Sequence, residues 1–264
     1  MSALLAVARA ELTKIVTLRS VWLTLGAVLA IQVLVSALSL SLYADAVAAI
    51  TPDGMIEIFV GQPQEAEQAM LESLVASSLQ MCIFLPVVAA VVAGQELRGR
   101  QLRTSLLAVP ARGRLMTAKL VAATVFLLVP ASLVALVSAV FTHLAVQEWK
   151  PGLVVSPAAL SAQARFIAFA VALCLVTYAI TLAARSIVVA VVAAVILTTV
   201  TMGQLVAPGL DRWLPVSAGR NLLLDPVSTP DLTSGPVLAV LVLVAWVLVT
   251  GAGAGASLAR RDAP

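Results

Sequence analysis

The stretch GQELRGRQLRTSLLAVPARGRLMTAKL, residues 94–120, holds six of the 16 Lys and Arg residues of a chain that is only 11% charged. Glu96 and Arg100 stand four apart and can pair on one helix. A short helix is expected over 95–109, with Leu102, Leu106 and Val109 as an apolar stripe and Arg98, Arg100 and Arg103 on its polar side. Pro110 ends it, and Gly113 loosens the turn before the next apolar run. Part of the cation excess serves only to hold the loop on one side of a membrane. That role needs no amphipathic helix, whereas docking on a partner does.

Other reactive groups are sparse. The single histidine, His143, has no second histidine with which to share a metal and is expected at a membrane boundary. Cys82 and Cys174 each sit within an apolar run and read as small buried hydrophobes. The run GAGAGAS, residues 251–257, lacks the lysine of a phosphate-binding loop and follows no strand. Gly251 and Gly255 instead form a small-xxx-small pair suited to close helix packing. No G-x-x-x-x-G-K-[ST] occurs, so the chain is not expected to hydrolyse ATP; with no partner for His143 and no Ser/His pair or paired aspartates at depth, no catalytic residue and no bound cofactor or metal are expected.

The elements that must position these residues are membrane helices. A 61% hydrophobic composition with mean hydropathy +1.08 arranged in long apolar runs reads as an all-α, polytopic membrane protein. Six spans are expected, over about 21–42, 74–93, 120–145, 166–184, 186–206 and 236–258, within a single domain covering 1–264. The run 166–206 carries one charge, Arg185, and as one helix would measure about 62 Å, twice a ~30 Å bilayer core. A tight turn at Arg185 and Ser186 divides it. The first apolar core, 22 residues long, exceeds that of a cleaved signal, so it is expected to stay as a span. Before it, residues 1–20 are expected to form an interfacial amphipathic helix. Leu4, Leu5, Val7, Leu12, Ile15 and Leu18 share one side, and Arg9, Thr13, Lys14 and Thr17 the other, with Glu11 and Arg19 imperfectly placed. An ordinary basic flank is the alternative.

Six spans sort the polar segments into two sets. The N-terminus, the loop 94–119, the Arg185 turn and the C-terminus carry twelve Lys and Arg against three acids. The segments 43–73, 146–165 and 207–235 carry four against ten. The cation rule places the first set, with both termini, in the cytoplasm. Tyr43, Trp149 and Trp213 then mark the outer boundary and Trp22 the inner one. The richness in Ala and Val, and in Arg over Lys, fits a GC-rich bacterium, hence a bacterial plasma membrane.

The pattern Glu96, Arg98, Gly99, then Leu106-Leu107, Pro110, Arg112 and Lys119 resembles the cytosolic loop of ABC-2-type transporter permeases. Arg100-Gln101-Leu102 stands where that family commonly has a Thr-Leu element. ELTKIVTLRSVW, residues 11–22, resembles the family's opening, and LAARSIVVAV, residues 182–191, its turn between the fourth and fifth spans. The likeness covers nearly the whole chain as topology and about 40 residues as motif. It implies one half of an export channel, paired with a second permease chain, identical or related, and served by two cytosolic ABC ATPase subunits that hold ATP and Mg. It also implies that Glu96, Arg98, Arg100 and Arg103, with Glu11 and Lys14 beside them, couple ATP hydrolysis to substrate movement. If spans two and five line the path, as the family suggests, Gln80, Phe84, Thr198 and Met202 are the pathway candidates; interhelical packing is their plainer role.

The spans contain no carboxylate, which argues against a proton- or sodium-coupled carrier. A path without fixed charge suits a lipophilic or amphipathic cargo. Pro86 and Pro130 are expected to kink their helices. Residues 65–72 are expected to form a short solvated helix; for 214–223 the resemblance implies a re-entrant or interfacial helix, with a solvated loop as the equal alternative. Membrane lipid is an expected partner and nucleic acid is not. The alternative function is a non-transporting membrane scaffold or sensor partner.

Overall fold

The computed structural model describes residues 3–57, 63–97, 112–224, 229 and 231–261. Helices account for most of the described residues. They are α1 (Ala3–Thr17), α2 (Arg19–Ala48), α3 (Ala66–Leu79), α4 (Leu85–Leu97), α5 (Arg112–Val146), α6 (Pro157–Ala184), α7 (Ile187–Met202), α8 (Pro208–Asp211), α9 (Pro215–Leu223) and α10 (Pro236–Arg261). A two-stranded antiparallel ribbon pairs Met55 with Glu65 and Ile56 with Gln64. The α3–α4 unit, α2, α5, α6 and α10 are long and apolar enough to cross a membrane, so the chain is a multi-pass, all-α membrane protein. The expected fifth span, α7, is apolar but only 16 residues long. At about 24 Å it falls short of a ~30 Å core.

The helix ends depart from the expected spans in both directions: α2 and α3 run on past their apolar cores, and α7 stops short. α2 continues six residues beyond Leu42. α3 begins at Ala66, so the stretch expected as a separate solvated helix is the first turns of a membrane-length helix, with Glu67 paired to Lys150. α7 stops at Met202, where Gly203 and a left-handed Gln204 (φ 49°) terminate it.

The break between α3 and α4 is a 3-10 turn, Gln80–Ile83, that Pro86 helps to make. Proline has no N–H to return to the carbonyl four residues earlier, here Cys82, so the α-helical ladder fails just there. Pro130, by contrast, lies inside the uninterrupted α5. The Arg185 turn forms as expected. Arg185 adopts the left-handed region (φ 54°), and the Ser186 hydroxyl accepts from the Val189 N–H, capping α7.

α6 is the centre of the bundle. In its most apolar stretch 72% of residues are buried, against 28% in α2 and in α10, which lie at the periphery. Packed around α6 are α4, α5, α7 and α10. Two glycines permit the closest approaches. A β-carbon on Gly94 would sit 2.3 Å from the Ile187 side chain, and one on Gly219 would sit 2.2 Å from the Phe169 ring. Of the small pair near the C-terminus, a β-carbon on Gly251 would stand 3.2 Å from Leu120 of α5, a close approach, whereas one on Gly255 would stand 3.8 Å from Met116, an ordinary contact.

The segment before the last span is a helix. Eight of the nine residues of α9 are buried, so 214–223 is not a solvated loop. It runs against α10, and the Trp246 indole donates to the Trp213 carbonyl at 2.7 Å. Trp246 is ten residues into α10, about 15 Å along its axis, so Trp213 descends beside the helix rather than lying level with its start.

Candidate functional site: a buried charge cluster at the base of the bundle

Three helices place charge where apolar residues would be expected. On α5, Lys119 falls in phase with Leu115, Met116, Ala122 and Ala123, all buried, and is itself 1% exposed. On α1, Glu11 lies between buried Ala8 and Ile15 and is 4% exposed. On α4, Glu96 follows buried Val92 and Ala93 by one turn.

The three side chains meet. Lys119 Nζ lies 2.7 Å from Glu11 Oε2 and 2.6 Å from Glu96 Oε2. The second Glu11 oxygen, Oε1, accepts from Lys14 Nζ at 2.7 Å. Tyr178, in α6 and 1% exposed, donates its phenol to Glu96 Oε1 at 3.4 Å. One ammonium therefore bridges two carboxylates, and the cluster joins α1, α4, α5 and α6. Two cations facing two anions leave it neutral, which is the condition under which such groups tolerate burial.

Burial opposes ionisation of Glu11. The Lys119 charge and the hydrogen bonds from Lys119 and Lys14 outweigh it and hold the carboxyl below its ordinary value of 4.5. A carboxyl with a depressed native pKa contributes stability that is complete above 4.5 and is lost as pH falls through the lowered value. The melting temperature of the detergent-purified protein is therefore expected to drop below pH 4.5, with a shallower drop in Glu11→Gln. An identical pH profile in that variant would remove Glu11 from the cluster's energetics.

The cluster is braced by the elbow between α1 and α2. Leu18 is extended there, the Trp22 indole donates to the Val16 carbonyl at 2.7 Å, and its ring meets Phe126 of α5 edge-on. α1 thus lies along α5 as a packed element, with Arg9, Thr13, Lys14 and Thr17 outward and Leu5 also exposed.

The expected site residues divide three ways. Glu11, Lys14 and Glu96 come together, but Glu11 and Glu96 face inward to Lys119 rather than outward to a partner. Arg98, Arg100 and Arg103, with the helix expected over 95–109 beyond Leu97, lie outside the described residues. Of the pathway set, Gln80 is exposed on the 3-10 turn, which packs on α7, and Phe84 is half-buried against the main core. Thr198 is buried and spends its hydroxyl on the Ala194 carbonyl, whereas Met202 is exposed. Lys119 and Tyr178 were not singled out by sequence as site residues. The signal for Lys119 was its phase: a lysine on the apolar stripe of its own helix. Nothing in the sequence marks Tyr178.

A second polar group ties α2 to α3 and α5. Gln32, fully buried, donates through Nε2 to Ser138 Oγ at 2.8 Å, with Ser36 and the Ser77 carbonyl close by. Among the described residues no three His, Cys, Asp or Glu side chains converge as a metal site requires. No protein-family model matches the chain, and no curated protein matches it.

Proposed function

We propose that this chain is the membrane-spanning permease subunit of an ATP-driven exporter of the ABC-2 kind. One observation supports this above others: the two roots of the arginine-rich loop, Glu96 and Lys119, are joined to each other and to Glu11 of the N-terminal helix. Force applied to that loop by a cytosolic subunit would reach α1, α4 and α5 together, and through Tyr178 the central helix α6. In this reading Arg98, Arg100 and Arg103 meet the ATPase, and the Glu11–Lys119–Glu96 cluster carries the motion inward.

The rest of the reading rests on the cation distribution. Both termini and the loop lie in the cytoplasm of a bacterial cell, and α7 completes a sixth crossing, its short length met by local thinning of the bilayer. A second permease chain completes the channel. The chain performs no chemistry of its own; ATP and Mg belong to the partner. Gln80, Phe84, Thr198 and Met202, uncharged and borne on the broken helix and on α7, suit a lipophilic or amphipathic cargo.

The test is purification of the tagged chain from its native membrane. An ATPase subunit is expected in stoichiometric amount, with hydrolysis stimulated by substrate. Reversal of Glu96 breaks the buried cluster itself, so Arg100→Glu is the cleaner variant. It should retain the melting temperature and lose the stimulation. Absence of any copurifying ATPase, or undiminished stimulation in Arg100→Glu, refutes the proposal.

A further inference from the structure

α6, α9 and α10 line a partly open apolar groove of about 290 Å³. Its floor is buried, with Val171, Leu175, Leu222 and Leu243 all under a tenth exposed. The trough exists because α6 presents two small residues, Ala168 and Ala172, one turn apart, opposite the exposed Val240 and Val244 of α10. Along α10 the lining residues extend from Val240 to Leu248, about 12 Å along the helix axis. A groove elongated with the helices and without polar walls suits an extended hydrocarbon chain.

One end of it carries a positive charge. Arg165 stands three residues before Ala168 and seven before Ala172, on the same face of α6. Its guanidinium is held there by two backbone carbonyls: Nη1 donates to Leu222, which itself lines the groove, at 3.3 Å, and Nε donates to Ser161 at 3.4 Å. No carboxylate pairs with Arg165 among the described residues, and the side chain is exposed. Two carbonyls orient the cation without neutralising it.

We infer that this groove is a binding site for an anionic phospholipid, with one acyl chain between α6 and α10 and the headgroup phosphate on Arg165. Charge complementarity decides for this occupant over a second copy of the chain. The wall that a second copy would touch is uniformly aliphatic and gives Arg165 no counter-charge, whereas a phosphate accepts the donors that the carbonyls leave free. The site is independent of the transport reading, sharing no residue with the charge cluster or the pathway set.

The test is native mass spectrometry of the purified protein equilibrated with phosphatidylglycerol or phosphatidylcholine of identical acyl chains. Phosphatidylglycerol is expected to be retained about fivefold more, the effect of one cation near an anionic headgroup. Arg165→Gln, at an exposed position, should keep the melting temperature and abolish that preference while chain binding persists, and Arg165→Lys should restore part of it. Ala172→Phe, which fills the trough, should reduce retention of both lipids. Equal retention of the two lipids by the parent chain, or a preference that survives Arg165→Gln, overturns the inference. So does a lipid-free dimer that Ala172→Phe dissociates, since the groove would then hold a second copy.

Discussion

Replacing Lys119 with methionine is expected to destabilise the protein by about 3–5 kcal/mol, the usual result of stripping one partner from a buried ion pair. The side chains are of similar length, so packing changes little. What changes is charge: Glu11 Oε2 and Glu96 Oε2, each within 2.7 Å of the same ammonium, are left with no cation between them. For a chain of this size the loss corresponds to a fall in melting temperature of about ten degrees. The diagnostic comparison is the triple variant Glu11→Gln, Glu96→Gln, Lys119→Met. It removes both charges along with their counter-charge and is expected to melt well above Lys119→Met alone, because a buried neutral amide costs far less than a buried unpaired carboxylate. If Lys119→Met melts with the parent protein, or if the triple variant is no better than the single one, the cluster does not bind the four helices as described. Under the transport reading the triple variant has a further signature: a folded protein with weakened coupling.

Adding one methyl group at Gly219 is expected to be nearly as damaging. The new β-carbon would lie 2.2–2.6 Å from three atoms of the Phe169 ring, well inside contact distance. Phe169 is fully buried in the main core and has no room to retreat. Overpacking of this kind costs typically 1–3 kcal/mol, and a rigid ring against a helix backbone places Gly219→Ala at about the upper end. Phe169→Leu shortens the opposing side chain, so the double variant should lose less than the sum of the two single variants. Thermal melting of the four proteins reads this directly, and strict additivity would mean that α9 does not approach α6 so closely. The prediction bears on the groove as well, since Leu222 at the end of α9 forms part of its floor.

The sequence made a good deal of this protein legible. Long uncharged runs implied membrane helices because backbone N–H and C=O groups in lipid must be satisfied within the segment. The Arg185 turn was readable because a 41-residue apolar run is too long for one crossing and a single charge marks where to divide it. The close approach at Gly251 was readable from the small-xxx-small spacing, although Gly255 makes only an ordinary contact. Boundaries were less so. α3 starts eight residues before the expected span because Ala66–Leu74 is a good helix whose acids need only one water-facing side. α9 was undecided by sequence, since a nine-residue segment with mixed polarity is buried or solvated according to what packs on it.

The candidate site shows the division most clearly. By itself the sequence determined that cations, Lys119 among them, concentrate around residues 94–120, and that Glu11 and Glu96 are two of only three acids in the cation-rich segments. Only the tertiary structure decided that these belong together, because Glu11 and Lys119 are 108 residues apart and their 2.7 Å contact exists only once α1 lies along α5. Hydropathy is a local property and determines which segments enter the membrane. Ion pairing depends on inverse distance between side chains, and that distance is a property of helix packing, which no linear pattern states.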